Sequence, residues 1–147
     1  MQTNRLNQGG FIDRHKTLRF TFNGQSYFGY QGDTLASALV ANDIKIVGRS
    51  FKYHRPRGII GSGAEEPNAI FQIGSGATTE AGMRATQIEL YDGLVAKSEK
   101  GWPSLSFDIA IINDWFSKLF GAGFYYKTFM YPAKFWKIYE YFLRRMA

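Results

Sequence analysis

The stretch LRFTFNGQSYFGY, residues 18–30, determines the fold class that this sequence predicts. Every second residue from Leu18 to Phe22 is apolar, which is the period of a strand with one buried face. Asn23 and Gly24 come next, and both residue types accept the positive φ angles of a tight hairpin turn. Residues 25–30 are therefore expected to return as the partner strand of a β-hairpin.

A helix and several strands are predicted after the hairpin. Asp33 is expected to cap the helix, because its carboxylate can accept hydrogen bonds from free backbone amides, and Leu35 and Leu39 lie on an apolar stripe at helical spacing. Short extended segments, interrupted by a glycine-containing loop at 56–68, are predicted at 44–47, 51–55, 69–73, 84–90 and 94–97. This order predicts an α+β fold, a mixed sheet with one packed helix.

Length and charge indicate a small module with a partner. The chain has 147 residues, which suits one domain or one small domain with an appendage. It carries 18 Lys or Arg against 12 Asp or Glu, a formal net charge of +6. Residues 124–147 hold five of those basic side chains and a single Glu. A basic tail on a nearly balanced domain is typical of an interaction with a partner.

The sequence contains no cysteine. Disulfides, thiolate metal sites, iron–sulfur clusters held by this chain and a cysteine nucleophile are therefore excluded. Residues 1–13 are polar and lack the apolar core of a signal peptide. The longest aliphatic run, 109–112, is far below the roughly 20 residues of a membrane span. A cytoplasmic location and no membrane partner are expected.

A basic segment at residues 49–57 is the first candidate binding site. Guanidinium groups beside flexible backbone amides could hold a phosphate or a carboxylate. The commoner alternative is a solvated basic edge strand that discourages pairing between sheets. The residues that could contact an anion are Arg49, Lys52, His54, Arg55 and Arg57.

The glycine-containing loop at 58–67 matches no phosphate-binding motif. It lacks the Lys and Ser or Thr that end a Walker loop, and no helix is predicted after it, as a dinucleotide fingerprint requires. Glu65 and Glu66 are adjacent carboxylates, but neighbours in a loop need not converge, so capping or solvent exposure is expected for both. His15 and His54 lie far apart, and neither a metal site nor a self-sufficient catalytic site is predicted.

Two amphipathic helices are predicted near the C-terminus. The first runs from about Ser106 to Gly121, with apolar residues at helical spacing. The second follows Pro132, a residue that the first helical turn tolerates. The apolar stripe of this second helix, expected to dock on another domain or subunit, consists of Phe135, Ile138, Tyr139, Phe142 and Met146.

Aromatic and basic residues interleave across residues 125–137, which leaves other partners open. The rings could stack on bases while lysines contact phosphates, or the helix could lie on an anionic membrane. Docking on a protein surface is favoured, because the apolar stripe is continuous and a net charge of +6 is mild for a nucleic-acid-binding module. No nucleic acid partner is expected.

Several unusual motifs occur in order along the chain. They are GRSFKYHRPRG at 48–58, GSG at 61–63, EEPNA at 65–69, GWPSL at 101–105, FD at 107–108, ND at 113–114 and GFYYKTFM at 123–130. Together they resemble the N-terminal region of the alpha subunit of heterotetrameric sarcosine oxidase. The resemblance extends over nearly the whole chain, from about Arg14 to Arg145.

This resemblance implies a β-grasp fold related to plant-type ferredoxins. In cluster-bearing relatives, the loop after the Arg-Pro-Arg-Gly element carries cysteines separated by four and then two residues. The matching positions are Gly61, Glu66 and Ala69, none of which supplies a thiolate. The implied module is a ferredoxin fold that keeps its loop without its cofactor. The predicted boundaries are 1–15 for an N-terminal arm, 16–103 for the β-grasp domain and 104–147 for a helical extension.

For the whole assembly, the resemblance implies oxidative demethylation of sarcosine with transfer of electrons to oxygen. The implied cofactors are FAD, FMN and NAD, with tetrahydrofolate as one-carbon acceptor and zinc in a small subunit. The family's alpha subunit is far longer and continues into a dinucleotide-binding domain and a folate-linked domain. The helical extension is therefore expected to dock on that dinucleotide-binding domain or on a partner subunit.

The leading prediction is thus a non-catalytic structural and interaction module that binds no cofactor alone. Its expected partners are the remaining alpha-subunit domains and the other subunits of the oxidase. The alternative, from another functional class, is an anion-, nucleotide- or nucleic-acid-binding module that uses residues 49–57. Salt separates the two, because binding through phosphates weakens steeply as salt rises and apolar docking changes little.

Overall fold

The computed structural model describes residues 2, 4–51, 53–101, 103–115 and 133–146. The chain forms two compact units, of which the first ends at Ile111 and the second begins at Ile112. The first unit contains the described β-strands and a well-formed helix. The second contains the helical segments described from Ile112 onward.

The first two strands form the hairpin that the sequence predicts. Strand β1, Asp13–Phe22, pairs antiparallel with β2, Gln25–Gln31. Asn23 and Gly24 make the turn with φ angles of 50° and 80°, the left-handed conformation that this pair of residues tolerates. β1 begins before Leu18, the predicted start, because its first residues also pair with β2 across an irregularity in the register.

Helix α1, Leu35–Ala41, begins with a capping box one residue after the predicted cap. The Thr34 hydroxyl accepts a hydrogen bond from Ser37 N–H at 3.1 Å, and the Ser37 hydroxyl accepts one from Thr34 N–H at 3.0 Å. The Asp33 carboxylate accepts from Tyr30 N–H at 2.9 Å and from the Ser37 hydroxyl at 2.7 Å. The prediction that Asp33 is the N-cap is therefore wrong, because its carboxylate is engaged by the preceding turn.

The remaining strands are β3, Gly48–Arg49, β4, Pro56–Arg57, β5, Ile70–Ile73, β6, Glu80–Arg84, and β7, Leu94–Ser98. Five strands form one sheet in the order β2-β1-β7-β5-β6. β1 and β7 pair in parallel, whereas the other neighbours in this sheet are antiparallel. β3 and β4 form a separate antiparallel pair. This mixed sheet with a packed helix confirms the predicted α+β, ferredoxin-like class of fold.

Two regions differ from the strands that the sequence predicts. Residues 51 and 53–55 lie outside the strands, between β3 and β4, and the extended segment predicted at 44–47 precedes β3, which begins at Gly48. Residues 85–87 form a 3-10 turn, so the strand predicted across this region is wrong. The reason is that the following residues bond to the start of α1. Leu90 N–H, for example, donates a hydrogen bond to the Asp33 carbonyl, just before α1, at 2.8 Å.

The core of the first unit lies between α1 and the sheet. Leu35 and Leu39 of the helix are fully buried against Phe20, Phe71 and Leu94 of the strands. Burial of each such side chain contributes about 1.5–3 kcal/mol. The apolar face predicted for α1 is therefore the face that the structure buries.

The elements toward the C-terminus are a 3-10 turn, Ile109–Ile111, helix α2, Ile112–Trp115, a 3-10 turn, Ala133–Phe135, and helix α3, Trp136–Met146. α3 confirms the helix predicted after Pro132. The first predicted helix continues through Phe116, Leu119 and Phe120, which lie outside the described residues. Within the described part of the chain, no helix has the length and apolar character needed to cross a membrane.

An ion pair fixes the N-terminal residues to the hairpin and the helix. The Arg5 guanidinium donates two hydrogen bonds to the Asp33 carboxylate, at 2.7 and 3.0 Å, and lies 5.2 Å from the centroid of the Tyr30 ring. The Asp33 side chain is 1% exposed and that of Arg5 is 13% exposed. A bidentate pair at this depth is stronger than an exposed pair, because water does not compete for the carboxylate.

Removal of Arg5 is expected to destabilise the first unit. Arg5→Ala leaves the buried Asp33 carboxylate without its cation, so the free energy of unfolding should fall by about 3 kcal/mol. Lys45→Ala, which removes the exposed partner of Asp43, should change it by no more than about 0.5 kcal/mol. Urea unfolding of both variants measures the difference, and equal losses would contradict the importance of the buried pair.

Candidate functional site

The basic segment at 49–57 turns one arginine inward. Arg49 Nη1 donates to the His54 carbonyl at 2.8 Å, and Arg49 Nε donates to the Leu105 carbonyl at 2.9 Å. The Asp108 carboxylate lies 3.5 Å from Arg49 Nε and 2.8 Å from His54 Nδ1. The side chains of Arg49 and Asp108 are 6% and 0% exposed. We call Arg49, His54 and Asp108 the Asp108 cluster.

The Asp108 cluster joins the loop between β3 and β4 to the segment after β7. Arg49 is the last residue of β3, and His54 adopts a left-handed backbone conformation with φ of 51°. Removal of either partner of a buried carboxylate–guanidinium pair leaves the other charge buried without compensation, which destabilises the fold. Arg49 is one of the residues that could contact an external anion, and in the structure its guanidinium lies beside an internal carboxylate. Sequence reasoning assigned Asp108 no such role, because its partners are remote along the chain.

The other basic residues of the segment have different surroundings. The Arg55 guanidinium lies 4.8 Å from the centroid of the Tyr53 ring. Arg57 is exposed in β4, and Lys52 lies outside the described residues. Contact between this segment and an external anion stays a prediction.

The loop between β4 and β5 closes around the carboxylate of Glu66. Oε2 of this carboxylate accepts hydrogen bonds from Ile60 N–H, at 2.8 Å, and from Gly61 N–H. Oε1 accepts from Asn68 N–H at 2.8 Å and from Ala69 N–H at 3.3 Å. Glu66 is fully buried, so four backbone donors replace the water that its charge would otherwise bind.

Two side chains fix the same loop, residues 58–69, which we call the Glu66 loop. Asn68 Nδ2 donates to the Gly58 carbonyl at 2.9 Å and joins the end of the loop to its start. Thr86 Oγ1 donates to the Gly63 carbonyl at 2.7 Å and joins the middle of the loop to the turn after β6. The Glu66 loop is therefore held at its start, its middle and its end.

The two adjacent carboxylates of this loop differ in environment. Burial raises the pKa of Glu66, but the four backbone hydrogen bonds outweigh it and hold the pKa below its ordinary value. Glu65 is exposed, and hydrogen bonds from its own N–H and from Gly63 N–H lower its pKa. The expectation of solvent exposure therefore describes Glu65, whereas Glu66 is an internal acceptor.

The structure brings together the three positions that match cluster cysteines by spacing. Gly61 and Ala69 each direct a backbone N–H at the carboxylate of Glu66, the third position. A Cβ atom added at Gly61 would lie 2.9 Å from Glu65 Oε1 and 3.4 Å from Glu66 Oε2. Carboxylate oxygens thus occupy the space that a longer side chain at position 61 would enter.

The fold and this loop define the class of the protein. Residues 15–101, more than half of the chain, match the family described as 2Fe-2S iron-sulfur cluster binding domain, and the chain belongs to that family. The crystal structure of L-proline dehydrogenase from P. horikoshii has a similar fold. The two superpose with a TM-score of 0.52 at 23% identity, over 71% of this chain and 19% of that one.

Within that class, the chain is similar to alpha subunits of sarcosine oxidase. It is 55% identical to the subunit of Rhizobium meliloti (strain 1021) over 148 residues, which are 100% of this chain and 15% of the relative. It is 40% identical to the subunit of Corynebacterium sp. (strain U-96) over 91 residues, 60% of this chain and 9% of the relative. The resemblance that the motifs indicate is confirmed, and the chain spans a small part of the length of these relatives.

The residues of the Glu66 loop do not fit the cluster after which the family is described. A [2Fe–2S] cluster is held by thiolates, and the chain contains no cysteine. The loop amides at Gly61 and Ala69 are bonded to Glu66. Among the described residues, no group of three or more His, Asp or Glu side chains could hold a metal ion. No cluster chemistry is therefore assigned to this chain.

The predicted docking residues lie on α3 and on the turn before it. Phe135 and Ile138 are 40% and 53% exposed, and Tyr139 is half-buried. The rings of Phe135 and Tyr139 are in contact, with centroids 6.4 Å apart. The side chains of Phe142 and Met146 lie outside the described part. Docking by this stripe stays a prediction, with two exposed apolar side chains to support it.

Neutralisation of Asp108 is expected to destabilise the fold. Asp108→Asn keeps the size of the side chain but leaves the buried Arg49 guanidinium without its ion pair, so the free energy of unfolding should fall by about 2 kcal/mol. The control is Asp92→Asn, at an exposed carboxylate that accepts Arg19 N–H, and it should cost less than about 0.5 kcal/mol. Urea unfolding of the two variants decides, and the role of Asp108 is refuted if both lose the same amount.

The stability that Glu66 supplies should depend on pH. Because its folded pKa lies below the ordinary value of 4.5, the contribution is complete above that value and is lost as the pH falls through the folded pKa. Glu66→Gln should therefore reduce the stability that the protein loses between about pH 7 and about pH 3. Glu65→Gln should reduce it less, because Glu65 is exposed. Urea unfolding at both pH values measures these losses, and an unchanged loss in Glu66→Gln contradicts the assignment.

Proposed function

We propose that this chain is a non-catalytic structural and interaction module of a sarcosine-oxidase-like flavoenzyme assembly. The observation that carries the proposal is the 55% identity, over the whole chain, to the sarcosine oxidase alpha subunit of Rhizobium meliloti. The cluster position supports a non-catalytic role, because it holds a buried carboxylate and no thiolate. In this proposal, the whole assembly demethylates sarcosine oxidatively.

The other parts of the assembly supply the chemistry in this proposal. FAD, FMN, NAD, tetrahydrofolate and zinc belong to other domains and subunits, and this chain alone binds none of them. Its partners are the remaining domains of the alpha subunit and the other subunits. The first unit offers these partners a preformed surface, because internal hydrogen bonds and an ion pair hold the Glu66 loop and the Asp108 cluster in place.

Helix α3 is the proposed contact with a following dinucleotide-binding domain or with a partner subunit. Phe135 and Ile138 are exposed, and burial of such side chains against a partner would contribute about 1.5–3 kcal/mol each. Lys134 and Lys137 are exposed beside them. Basic residues at the edge of an apolar contact favour a partner surface with acidic residues around it, because complementary charges orient the encounter.

Loss of an apolar side chain on α3 should weaken this association. Ile138→Ser is expected to raise the Kd for the remaining alpha-subunit domains about tenfold, because it removes a contact that the partner would bury. Lys137→Ser, at the neighbouring exposed position, should change the Kd by no more than about twofold. Isothermal titration calorimetry gives both values. Equal effects of the two substitutions, or none at Ile138, would refute docking through this helix.

Anion, nucleotide or nucleic-acid binding by residues 49–57 is the second candidate. Exposure of Arg57 favours it, whereas the Arg49 guanidinium is already paired with Asp108. Binding through phosphates should weaken steeply between about 0.05 and 0.2 M salt, while apolar docking should change little. A steep salt dependence that Arg57→Ala reduces would favour this candidate over the first.

A further inference from the structure

The backbone amides of the Glu66 loop converge on one anion from both ends of the loop. Ile60 and Gly61 donate to one carboxylate oxygen, and Asn68 and Ala69 donate to the other. In iron–sulfur domains, hydrogen bonds are donated to the sulfur atoms of the cluster and its ligands. The Glu66 loop thus presents the same class of donor, and the acceptor is a carboxylate.

The charge of the Glu66 carboxylate has the same sign as that of an iron–sulfur cluster with its thiolate ligands. A [2Fe–2S] cluster with its thiolates is negatively charged, because the thiolates and sulfides together outweigh the irons. Glu66 is ionised at neutral pH, since its pKa is held below the ordinary value. No Lys or Arg of the described segments forms an ion pair with it. Among the described residues, backbone N–H dipoles therefore stabilise its charge, as in the concave amide arrangements that bind anions.

Position supports the same comparison. Gly61, Glu66 and Ala69 are the positions that match cluster cysteines by spacing, and the carboxylate belongs to the middle one. The other two each donate a backbone N–H to it. Ala69 is fully buried, and Gly61 leaves room for the carboxylates beside it. The anion therefore lies among the positions that match the cluster cysteines by spacing.

We propose that the Glu66 carboxylate is an internal replacement for the iron–sulfur cluster and holds the Glu66 loop closed in its place. A carboxylate suits this role because it is an acceptor only, with two oxygens that can each receive two hydrogen bonds. A glutamine side chain has one oxygen, and its NH2 group would face two of the four N–H donors. The loop therefore depends on an acceptor-only group at position 66.

Amide hydrogen exchange in the 147-residue chain tests this proposal. In Glu66→Gln, at least two of the four amides bonded to the carboxylate should exchange at least about tenfold faster, because they lose their acceptor. Amides at the centre of β1 and β7 report whether the sheet itself is intact. The matched control is Glu65→Gln, which should leave the four amides within about twofold of the parent. Unchanged exchange of all four in Glu66→Gln, with an intact sheet, overturns the proposal.

A second variant keeps the proposal testable where Glu66→Gln does not fold. Glu66→Ala removes Cγ and the carboxylate, the fragment that acetate reproduces. Acetate at about 0.1 M should raise the Tm of this variant by mass action, whereas the neutral analogue acetamide should not. Glu65→Ala in the same solutions corrects for general salt effects. An equal response to acetate and acetamide, including no response to either, overturns the proposal.

Discussion

The loop between β4 and β5 contains backbone N–H groups that need hydrogen-bond acceptors, and the chain has no cysteine sulfur to serve as one. The arrangement of the first unit depends on the acceptor that the loop uses. The Glu66 carboxylate accepts hydrogen bonds from four of these N–H groups and closes the loop. Ala69 is both a donor to this carboxylate and the residue immediately before β5, and its carbonyl accepts from Ala85 N–H at 2.9 Å. Because β5 pairs with both β6 and β7, loop closure and the entry of β5 into the sheet are linked through one buried carboxylate.

The hairpin and helix α1 were predictable because their signals lie within a few residues of one another. Asn23 and Gly24 specify their turn locally, and the apolar spacing of α1 specifies its buried face. The N-cap prediction is wrong because Asp33 and Thr34 are both good caps, and the Asp33 carboxylate is engaged by Tyr30 N–H and by the distant Arg5. The strand predicted at 84–90 is wrong at residues 85–87 because alternation of apolar and polar residues indicates only that one face is buried. In this structure the buried face belongs to a 3-10 turn.

The candidate site was only partly accessible from the sequence. Spacing and family resemblance located positions 61, 66 and 69, yet nothing local separates Glu66 from Glu65. Burial separates them, and burial follows from how the whole loop folds back on itself. Arg49 was grouped with its exposed basic neighbours for the same reason, because its carboxylate partner Asp108 lies beyond β7 and no local pattern joins the two.

A ferredoxin-like loop cannot simply lose its cluster, because the donors that faced the cluster remain in the backbone. Each buried amide without an acceptor costs about 1–3 kcal/mol, so four of them would remove a large part of the roughly 5–15 kcal/mol by which a domain is stable. A cluster-free loop of this form therefore requires another hydrogen-bond acceptor, and the side-chain carboxylate of Glu66 is that acceptor. In the function proposed above, the role of the first unit in a larger assembly rests on the shape and surface that the closed loop maintains.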